Sequence, residues 1–317
     1  MKNSINRRSF LKKSIMASTL LYSQYAFFKT DFLTNNHILK TEGYYKFKLG
    51  EFECACLSDG GYSYKPESMF SNIPIDMVKE ALLSAGLPTD HVWTPYTYVF
   101  VNNGEDNILI DMGGGDLADT TGKLINNMKS AGIEPKSIDK VLITHAHPDH
   151  IGGALDENGN PAFPNAEYYI WKDEWDFWFS DESLDMAPKV FFDIARKNLS
   201  PLKDRTHLID KQKEILTGIE IIPSPGHTPG HASFNITSEG NTLCYIGDVV
   251  LHPLHLEYPD WLPIYDILPE KAALTKNRIF DMLSKNDTWV VGQHFPPFPS
   301  YGHVKKQEKG WKWMPFS

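Results

Sequence analysis

The sequence predicts a mixed α/β domain in which two β-sheets pack together between outer layers of helices. The first half opens as a β meander from Tyr44, with alternating segments such as YYKFKLG and EFECACLSDGG. Strands followed by helices then recur in a second half, and neither a linker nor a short-period repeat separates the two. Because each half supplies its own sheet and helices, we expect a single four-layer αββα sandwich.

Hydrophobic periodicity predicts the individual elements in order. YTYVFVNNGEDNILIDMGGG indicates two apolar strands around an Asn-Gly turn. DMVKEALLSAG and TGKLINNMKSAG show helical spacing and end in Gly, the usual helix stop. In the second half, residues 172–199 are predicted to be largely helical and PEKAALTKNRIFDMLSK to be a long helix. Predicted strands there are AEYYIW, GIEIIPS, HASFNIT, NTLCYIGDVV and TWVVGQH.

The amino-terminal segment differs from the rest of the chain. NRRSFLKK, followed by a short apolar run, resembles a twin-arginine export leader of bacteria. We therefore expect a leader over residues 1–35, one folded domain over 36–317, and a periplasmic or secreted protein. The apolar run is short and interrupted by Ser and Gln, so no stable membrane insertion is expected after export. The alternative is a solvated basic tail.

Composition limits the classes of function. With 317 residues and 41% hydrophobic content the chain can build a substantial core. Its net charge of -9 argues against nucleic acid as a partner, because such binding needs a concentrated basic face. Cys54, Cys56 and Cys244 are too few for a disulfide framework and are predicted to be core residues. Strand alternation should place Cys54 and Cys56 on the same face.

Metal-capable side chains follow four predicted strands. His145, His147, Asp149 and His150 follow VLIT, His227 follows EIIPSPG, Asp248 follows LCYIG, and His294 follows WVVGQ. The carboxyl ends of strands are where α/β scaffolds gather functional groups from distant parts of the chain. In an extended segment His145 and His147 point the same way, and Pro148 then turns Asp149 and His150 toward a neighbouring direction. One short turn can thus serve two metal ions.

Four motifs carry a family resemblance. THAHPDHIGG, PGHTPGH, IGDVV and GQHFPPFP, in this order, resemble the successive metal motifs of the metallo-β-lactamase-fold hydrolases, and the likeness runs from about Tyr44 to His303. Within that superfamily, HFPPFPSYGHV and GDVVLHPLHLEYPDW are most similar to the branch that holds methyl parathion hydrolase and similar lactonases. The resemblance implies an αββα sandwich with the site at one rim, in agreement with the layers argued above.

The resemblance also implies a ligand set. One ion would be held by His145, His147 and His227, the other by Asp149, His150 and His294, with Asp248 bridging both. Asp149 and Asp248 would also be catalytic, and Asp111 in ILIDMGGG matches a position that orients a metal-bound histidine. The family uses the first histidine of PGHTPGH, so His231 is expected to be a packed residue or to support a ligand. Zinc is the expected metal, and all-N/O ligation leaves manganese, iron and cobalt open.

Charge balance makes this ligand set coherent. Two carboxylates beside five imidazoles are costly to bury unless cations compensate. A pair of divalent ions also lowers the pKa of a bridging water toward about 7, which supplies hydroxide without a protein nucleophile. We therefore expect a dinuclear hydrolase acting on a small-molecule ester, lactone or phosphotriester. Whether the protein is a homodimer is left open.

Three alternatives remain beside this hypothesis. The first is a β-lactamase, although those enzymes commonly lack an aspartate at the place of Asp248. The second is a glyoxalase-type thioesterase, which uses the same ligands. The third, from another class, is a non-catalytic metal-binding or sensor protein; it would be expected to lack ligands, whereas all seven are present.

An aromatic segment, YYIWKDEWDFWFS, is the candidate for substrate contacts. The spacing of Trp171, Trp175 and Trp178 fits one helical face, which is typical of core packing. In the resembled branch this region caps the active site, where an aromatic wall would suit an apolar substrate. Trp175, Trp178, Phe191 and Phe192 are accordingly predicted to line the pocket. His252, His255 and His303 are predicted to lie at the surface or to support the site.

Overall fold

Each half of the chain forms one seven-stranded sheet. The computed structural model describes residues 43–211 and 213–316. The strands of the first sheet, in chain order and in spatial order, are β1 Tyr44–Leu49, β2 Phe52–Tyr64, β3 Val92–Asn102, β4 Asn107–Ile110, β5 Lys140–Ile143, β6 Glu167–Trp171 and β7 Thr206–Ile209. Those of the second are β8 Glu214–Leu216, β9 Ile219–Pro223, β10 Ala232–Ser238, β11 Asn241–Tyr245, β12 Trp289–Val291, β13 Tyr301–Lys306 and β14 Trp311–Pro315.

Helices connect and cover these strands. The described α-helices are α1 Pro66–Met69, α2 Ile75–Ser84, α3 Leu124–Ser130, α4 Pro148–Ile151, α5 Lys172–Phe179, α6 Lys189–Leu199, α7 Leu254–Glu257 and α8 Pro269–Lys285. Short 3-10 turns lie at Pro135–Ser137, Asp181–Ser183 and Ser200–Arg205. None of the helices in the described ranges is long and apolar enough to cross a membrane.

Strand direction changes within the first sheet. Strands β1 to β4 pair antiparallel, whereas β4, β5, β6 and β7 pair parallel. In the second sheet β11 and β12 are parallel, although the chain between them runs through α7 and α8. Parallel neighbours end at the same edge of a sheet, so the loops that follow β4, β5, β11 and β12 can meet at one rim of the molecule.

The two sheets pack face to face. In β3 successive side chains are buried on opposite faces: Tyr98 and Phe100 belong to an outer cluster, whereas Val99 and Val101 belong to the cluster between the sheets. The cluster between the sheets draws on both of them, for example Cys56, Ile108, Ile110 and Leu142 from the first and Ile221, Phe234, Leu243 and Tyr245 from the second. Strands buried on both faces are expected in the middle layers of a sandwich.

Helices close the two outer faces. Helices α3, α5 and α6 cover the first sheet through Leu124, Met128, Phe177, Trp178, Phe192 and Leu199. Helix α8 covers the second sheet through Ile279, Phe280 and Leu283, which pack with Val290, Trp311 and Trp313. The predicted four-layer αββα sandwich is therefore confirmed.

Some local predictions need correction. Trp171 is the last residue of β6 and does not share a helical face with Trp175, because α5 begins at Lys172. Strands β7, β8, β13 and β14 were not predicted, since they are short and carry exposed or polar side chains on one face. All three cysteines are buried as predicted, and Cys54 and Cys56 both face the space between the sheets. The predicted leader at residues 1–35 lies outside the described residues.

Candidate metal centre

The seven predicted ligands meet at the rim where strands of both sheets end. His145 and His147 follow β5, Asp149 and His150 lie in α4, His227 lies between β9 and β10, Asp248 follows β11, and His294 follows β12. Asp149 is 9% exposed and the other six are at most 5% exposed. They form two groups that share Asp248, and the ligand atoms within each group all lie within 4.8 Å of one another.

The first group consists of His145, His147, His227 and Asp248. His147 Nδ1 lies 2.9 Å from His227 Nε2, so the two rings face each other through their nitrogen atoms. Asp248 Oδ2 lies 3.3 Å from His227 Nε2 and 3.8 Å from His145 Nε2. Three imidazole nitrogens and one carboxylate oxygen thus surround a single point.

The second group consists of Asp149, His150, Asp248 and His294. Asp248 Oδ1 lies 3.3 Å from His150 Nε2 and 3.2 Å from His294 Nε2. His294 Nε2 also lies 3.4 Å from Asp149 Oδ2. Since its Oδ2 approaches the rings of the first group, the Asp248 carboxylate stands between the two groups.

Unpaired buried atoms indicate that these groups fit metal ions. Nε2 of His145 and Nε2 of His150 are buried and make no hydrogen bond, although carboxylate oxygens of Asp248 lie nearby. Buried polar atoms are normally paired, so these two nitrogens, one in each group, need a partner of another kind. A donor set of imidazole nitrogens and carboxylate oxygens suits divalent zinc, manganese, iron or cobalt.

Electrostatics favours the ionised form of Asp248 and the neutral form of two of the five candidate imidazoles. Burial works against the charge of Asp248, but nearby His294 and His150 outweigh it and hold the pKa of Asp248 well below its usual range. Burial and the neighbouring histidines push the pKa values of His145 and His147 well below the ordinary value. The carboxylate therefore stays ionised, and these two imidazoles stay neutral with lone pairs available. Burial works against a charge on His150, His227 and His294, but nearby carboxylates outweigh it and raise their pKa values, so these three rings must each lose a proton when an ion binds.

Asp111 hydrogen-bonds the ring of His150, one of the candidate ligands. Its Oδ2 lies 2.7 Å from His150 Nδ1, and its two oxygens accept hydrogen bonds from the Thr144 backbone N–H and hydroxyl at 2.8 Å. Asp111 adopts a φ of 61°, a left-handed conformation that is uncommon for a residue with a side chain. A hydrogen bond at Nδ1 fixes the ring so that Nε2 faces the second group.

Three further supporting residues were not assigned this role from the sequence. Asp266 Oδ1 lies 2.9 Å from Nδ1 of His227. The Tyr98 hydroxyl donates to the backbone carbonyl of Asp149 at 2.5 Å. Glu174 accepts the backbone N–H of Ala146 at 2.9 Å. These residues lie far along the chain from the groups they contact and follow no motif spacing, so the sequence carries no direct signal for them.

His231 supports Asp248 rather than joining either group. Its Nε2 accepts the backbone N–H of Asp248 at 2.9 Å, and its Nδ1 lies 2.8 Å from the Ser224 hydroxyl. Burial and the neighbouring charge of His227 lower the pKa of His231 to about 3, so the ring is neutral and Nε2 can accept. Between the two histidines of PGHTPGH, the structure brings His227 into the metal-binding group.

A cavity of about 280 Å³ opens directly onto both groups. It is lined by Tyr62, Tyr64, Met69, Tyr96, Leu117, His147, Pro148, Asp149, Phe191, His227, Asp248, Leu251, Tyr265 and His294. Apart from the candidate ligands, these side chains are apolar or phenolic. Among the lining residues of the described chain there is no lysine or arginine.

The predicted pocket aromatics are corrected in part. Phe191 lines the cavity, and its ring centroid lies 5.2 Å from that of His147. Trp178 and Phe192 are fully buried in the core beneath the first sheet and cannot reach a substrate. Trp175 stacks on Phe179 with ring centroids 4.2 Å apart and does not line the cavity. The cavity takes its aromatic wall from tyrosines instead.

His252 and His255 are buried, which excludes the surface, one of the two places that the sequence left open for them. They are 2% and 1% exposed, because both pack against Phe70 of the small cluster around α1 and α2. His255 Nε2 lies 2.8 Å from the Met69 carbonyl oxygen. His303 is partly exposed on β13, and its Nδ1 lies 3.3 Å from Asp287 Oδ1.

Comparison with curated proteins finds lactonases. N-acyl homoserine lactonase from Bacillus cereus is 24% identical over 193 residues, which are 61% of this chain and 66% of the lactonase. N-acyl homoserine lactonase AiiA from Bacillus thuringiensis subsp. kurstaki is 25% identical over 195 residues, with the same coverage. The chain thus spans 66%, just under two thirds, of the length of these curated relatives.

Solved structures with the same architecture include two hydrolases. The hydrolase AbOPH of the β-lactamase superfamily has a TM-score of 0.81 and 30% identity, covering 87% of this chain and 98% of its own. AidC, a dizinc quorum-quenching lactonase solved with a product, has a TM-score of 0.80 and 27% identity at the same coverage. The family model of the metallo-β-lactamase superfamily matches residues 92–294, which include every candidate ligand. This protein therefore belongs to the metallo-β-lactamase superfamily.

Proposed function

We propose that this protein is a dinuclear-metal-dependent hydrolase of small neutral esters, with lactones as the leading substrate class. The observation that carries the proposal is the position of Asp248, whose carboxylate stands between two groups of buried ligands at the base of an apolar cavity. A mononuclear site or a degenerate binding site would not require a shared carboxylate.

The candidate ligands and the cavity walls would have separate roles, metal binding and substrate binding. His145, His147 and His227 would hold one ion, Asp149, His150 and His294 the other, and Asp248 both. When bound, two divalent cations supply positive charge that polarises a carbonyl or phosphoryl oxygen and lowers the pKa of water, so that hydroxide is available near neutral pH. The apolar walls bind the uncharged part of the substrate and exclude bulk water.

Asp149 is the carboxylate best placed to move a proton. It lines the cavity and is the most exposed of the seven ligands, at 9%. Burial raises the pKa of Asp149, but without ions the charges of His150 and His294 outweigh it and lower the pKa; bound cations would favour the ionised carboxylate in the same way. An ionised oxygen at the cavity wall can accept a proton from the attacking water and return it to the leaving oxygen.

The lining favours a neutral substrate. β-Lactams, phosphodiesters and glutathione thioesters carry anionic groups, and a site for them is expected to offer a cation. Within residues 43–211 and 213–316, neither lysine nor arginine lines this cavity. Lactones, simple esters and phosphotriesters are neutral and fit an apolar wall. The N-acyl homoserine lactonases and the lactonase AidC among the similar proteins support the lactone class.

Metal analysis combined with a substrate panel tests the proposal. We expect close to two divalent ions per chain and hydrolysis of lactones or neutral esters well above hydrolysis of phosphodiesters, thioesters and β-lactams. Protein that holds two ions but is inert on the whole panel would refute the hydrolase. Preferential turnover of β-lactams or thioesters would refute the substrate class.

Asp248→Asn tests the shared carboxylate directly. Asparagine keeps the shape but removes the negative charge and replaces one oxygen with an amide donor, so we expect metal content and turnover to fall together. Asp185→Asn, which changes an exposed aspartate far from the ligands in sequence, is the matched control and should retain both. Full metal content and turnover in Asp248→Asn would exclude Asp248 as the shared ligand.

A further inference from the structure

Glu174 is a fully buried carboxylate on α5 that accepts four hydrogen bonds. Oε1 accepts the Ala146 backbone N–H at 2.9 Å and the Trp178 indole N–H at 2.6 Å. Oε2 accepts the Thr228 hydroxyl at 2.5 Å and the Gly230 backbone N–H at 3.1 Å. Glu174 is 0% exposed, and among the described residues no lysine, arginine or histidine forms a salt bridge with it. These four hydrogen bonds offset the free-energy cost of burying a carboxylate that has no cationic partner.

Two of its partners lie within the loops that carry the first ligand group. Ala146 stands between His145 and His147 in the loop that follows β5 of the first sheet. Thr228 directly follows His227 in the loop between β9 and β10 of the second sheet. One side chain therefore ties together two loops that come from opposite halves of the molecule.

The second loop is packed tightly onto α5. A Cβ atom at Gly230 would lie 2.0 Å from the backbone nitrogen of Glu174, so only glycine fits at this approach. The hydrogen bond from the Gly230 N–H to Glu174 Oε2 therefore forms where the backbones of Gly230 and Glu174 are already in contact. Packing thus places the His227 loop on α5, and the Glu174 carboxylate links this contact to the His145 loop through the Ala146 backbone N–H.

The second ligand group has separate supports. Asp111 holds His150 through Nδ1, and Tyr98 holds the Asp149 carbonyl oxygen. None of the four recorded hydrogen bonds of Glu174 reaches Asp149, His150 or His294. The supports of the two groups are therefore divided between different side chains.

We propose that Glu174 is a positioning residue for the first metal ion: it keeps His145 and His147 in register with His227, and its loss weakens that site while the second site is retained. The inference rests on the dinuclear centre of the proposed function but not on its substrate. Removal of such an outer partner typically costs about 10- to 100-fold in metal affinity.

Glu174→Gln in the full chain is the primary test. The glutamine amide nitrogen can only donate, and in either orientation it faces an N–H group that also only donates, that of Gly230 on one side or those of Ala146 and Trp178 on the other. We expect about 10- to 100-fold weaker zinc binding at one of the two sites in a chelator competition titration. Asp173→Asn, an exposed carboxylate on the same helix, is the matched control and should bind both ions as the wild type does.

Cadmium-113 NMR identifies which site is affected. The two sites have different donors, so we expect two resonances, which His145→Ala and His294→Ala assign to the first and second groups. Glu174→Gln should lose or broaden the first resonance at low cadmium, and Asp111→Asn should do the same to the second. Equal loss of both resonances in Glu174→Gln, or no loss of either, would overturn the inference.

Single hydrogen-bond variants keep the test decisive if Glu174→Gln does not fold. Thr228→Val removes one hydrogen bond between Glu174 and the His227 loop and should weaken the first site, whereas Thr237→Val, the same change at an exposed position of β10, should leave both sites unchanged. The reverse pattern would overturn the inference.

Wild-type protein that binds no metal would overturn both this inference and the proposed function. Wild-type protein that binds two ions without hydrolysis would refute only the function.

Discussion

At the scale of single residues, the orientation of each ligand imidazole depends on which of its two nitrogens is already hydrogen-bonded to a supporting residue. Asp111 takes Nδ1 of His150 and Asp266 takes Nδ1 of His227, so Nε2 of each ring faces Asp248. A ring fixed at one nitrogen presents the other without losing rotational freedom on binding. The ligand geometry is therefore set by residues that never touch the ion.

Tyr64 is expected to contribute to substrate binding. Its hydroxyl lies 2.6 Å from that of Tyr96, and both side chains line the cavity. Two hydroxyls share one proton in their mutual hydrogen bond, which leaves a second proton to donate to a substrate oxygen. Because one such bond is worth about 1 kcal/mol, Tyr64→Phe should raise KM roughly 5-fold with a smaller change in kcat.

Steady-state kinetics on the best substrate of the panel checks this expectation. Tyr62→Phe is the control, since Tyr62 lines the same cavity but is 40% exposed. Unchanged KM in Tyr64→Phe, or an equal rise in Tyr62→Phe, would contradict a specific hydrogen bond from the Tyr64 and Tyr96 pair.

Lys276 is expected to make the stability of the fold depend on pH. It is 3% exposed on α8 and donates to the carbonyl oxygens of Pro259 and Trp261 at 2.6 and 3.3 Å. Burial lowers the pKa of Lys276 from 10.5 to about 8. Between these two values the unfolded chain binds the proton more strongly, so the free energy of unfolding should rise with pH across that window and not below it.

Urea unfolding at pH 7.5 and pH 9.5 measures the effect. We expect the stability of the wild type to gain about 2 kcal/mol over this interval relative to Lys276→Met, in which no proton is bound. The difference between the two proteins removes the contributions of other titrating groups. The same pH dependence in both would show that Lys276 keeps an ordinary pKa.

At the scale of elements, periodicity predicted where strands and helices lie but not how each helix is rotated against its neighbours. Helix α8 spans the predicted PEKAALTKNRIFDMLSK without a shift, and the helical segment at 172–199 contains α5 and α6. Which aromatic side chains of α5 and α6 reach the cavity depends on packing against the first sheet. That packing buries Trp178 and Phe192 and leaves Phe191 at the wall.

Gly226 fixes the distance between the His227 loop and α8. Its φ is 146°, and a Cβ atom there would lie 2.3 Å from the backbone nitrogen of Ala272. Gly226→Ala must therefore push the helix and the loop apart, so we expect a loss of about 2 to 4 kcal/mol in stability from overpacking and strain together. Since His227 is the next residue, zinc affinity should fall as well.

Gly240→Ala is the matched control for this prediction. Gly240 has a φ of 77° with nothing within 4 Å of the added Cβ, so it tests conformational strain without a clash. We expect a loss of about 1 kcal/mol and unchanged zinc binding. Urea unfolding and chelator competition measure both variants, and similar losses in the two would argue against close packing at Gly226.

At the scale of the whole molecule, the ligands come from both halves of the chain. His145, His147, Asp149 and His150 belong to the half that forms the first sheet, and His227, Asp248 and His294 belong to the other. The family resemblance of the motifs, together with their positions after strands that end at the shared rim, indicated which residues would meet. The sequence could not predict Glu174 or Asp266, whose roles arise only when the two halves pack.

Because both halves share the centre, metal ions should stabilise the entire fold and not only the loops around them. An ion that binds the folded state alone adds about 4 kcal/mol at a free concentration 1,000 times its dissociation constant. We expect chelation to lower the melting temperature by several degrees or more, since about 1 kcal/mol corresponds to 2–4 °C for a domain of this size. Zinc titration should restore the melting temperature in proportion to the logarithm of the free zinc concentration.

His145→Ala, which lacks a ligand of the first group, is the control, and its melting temperature should respond less to zinc and to chelator. A melting temperature independent of zinc in the wild type would show that the two halves hold together without ions at their shared rim.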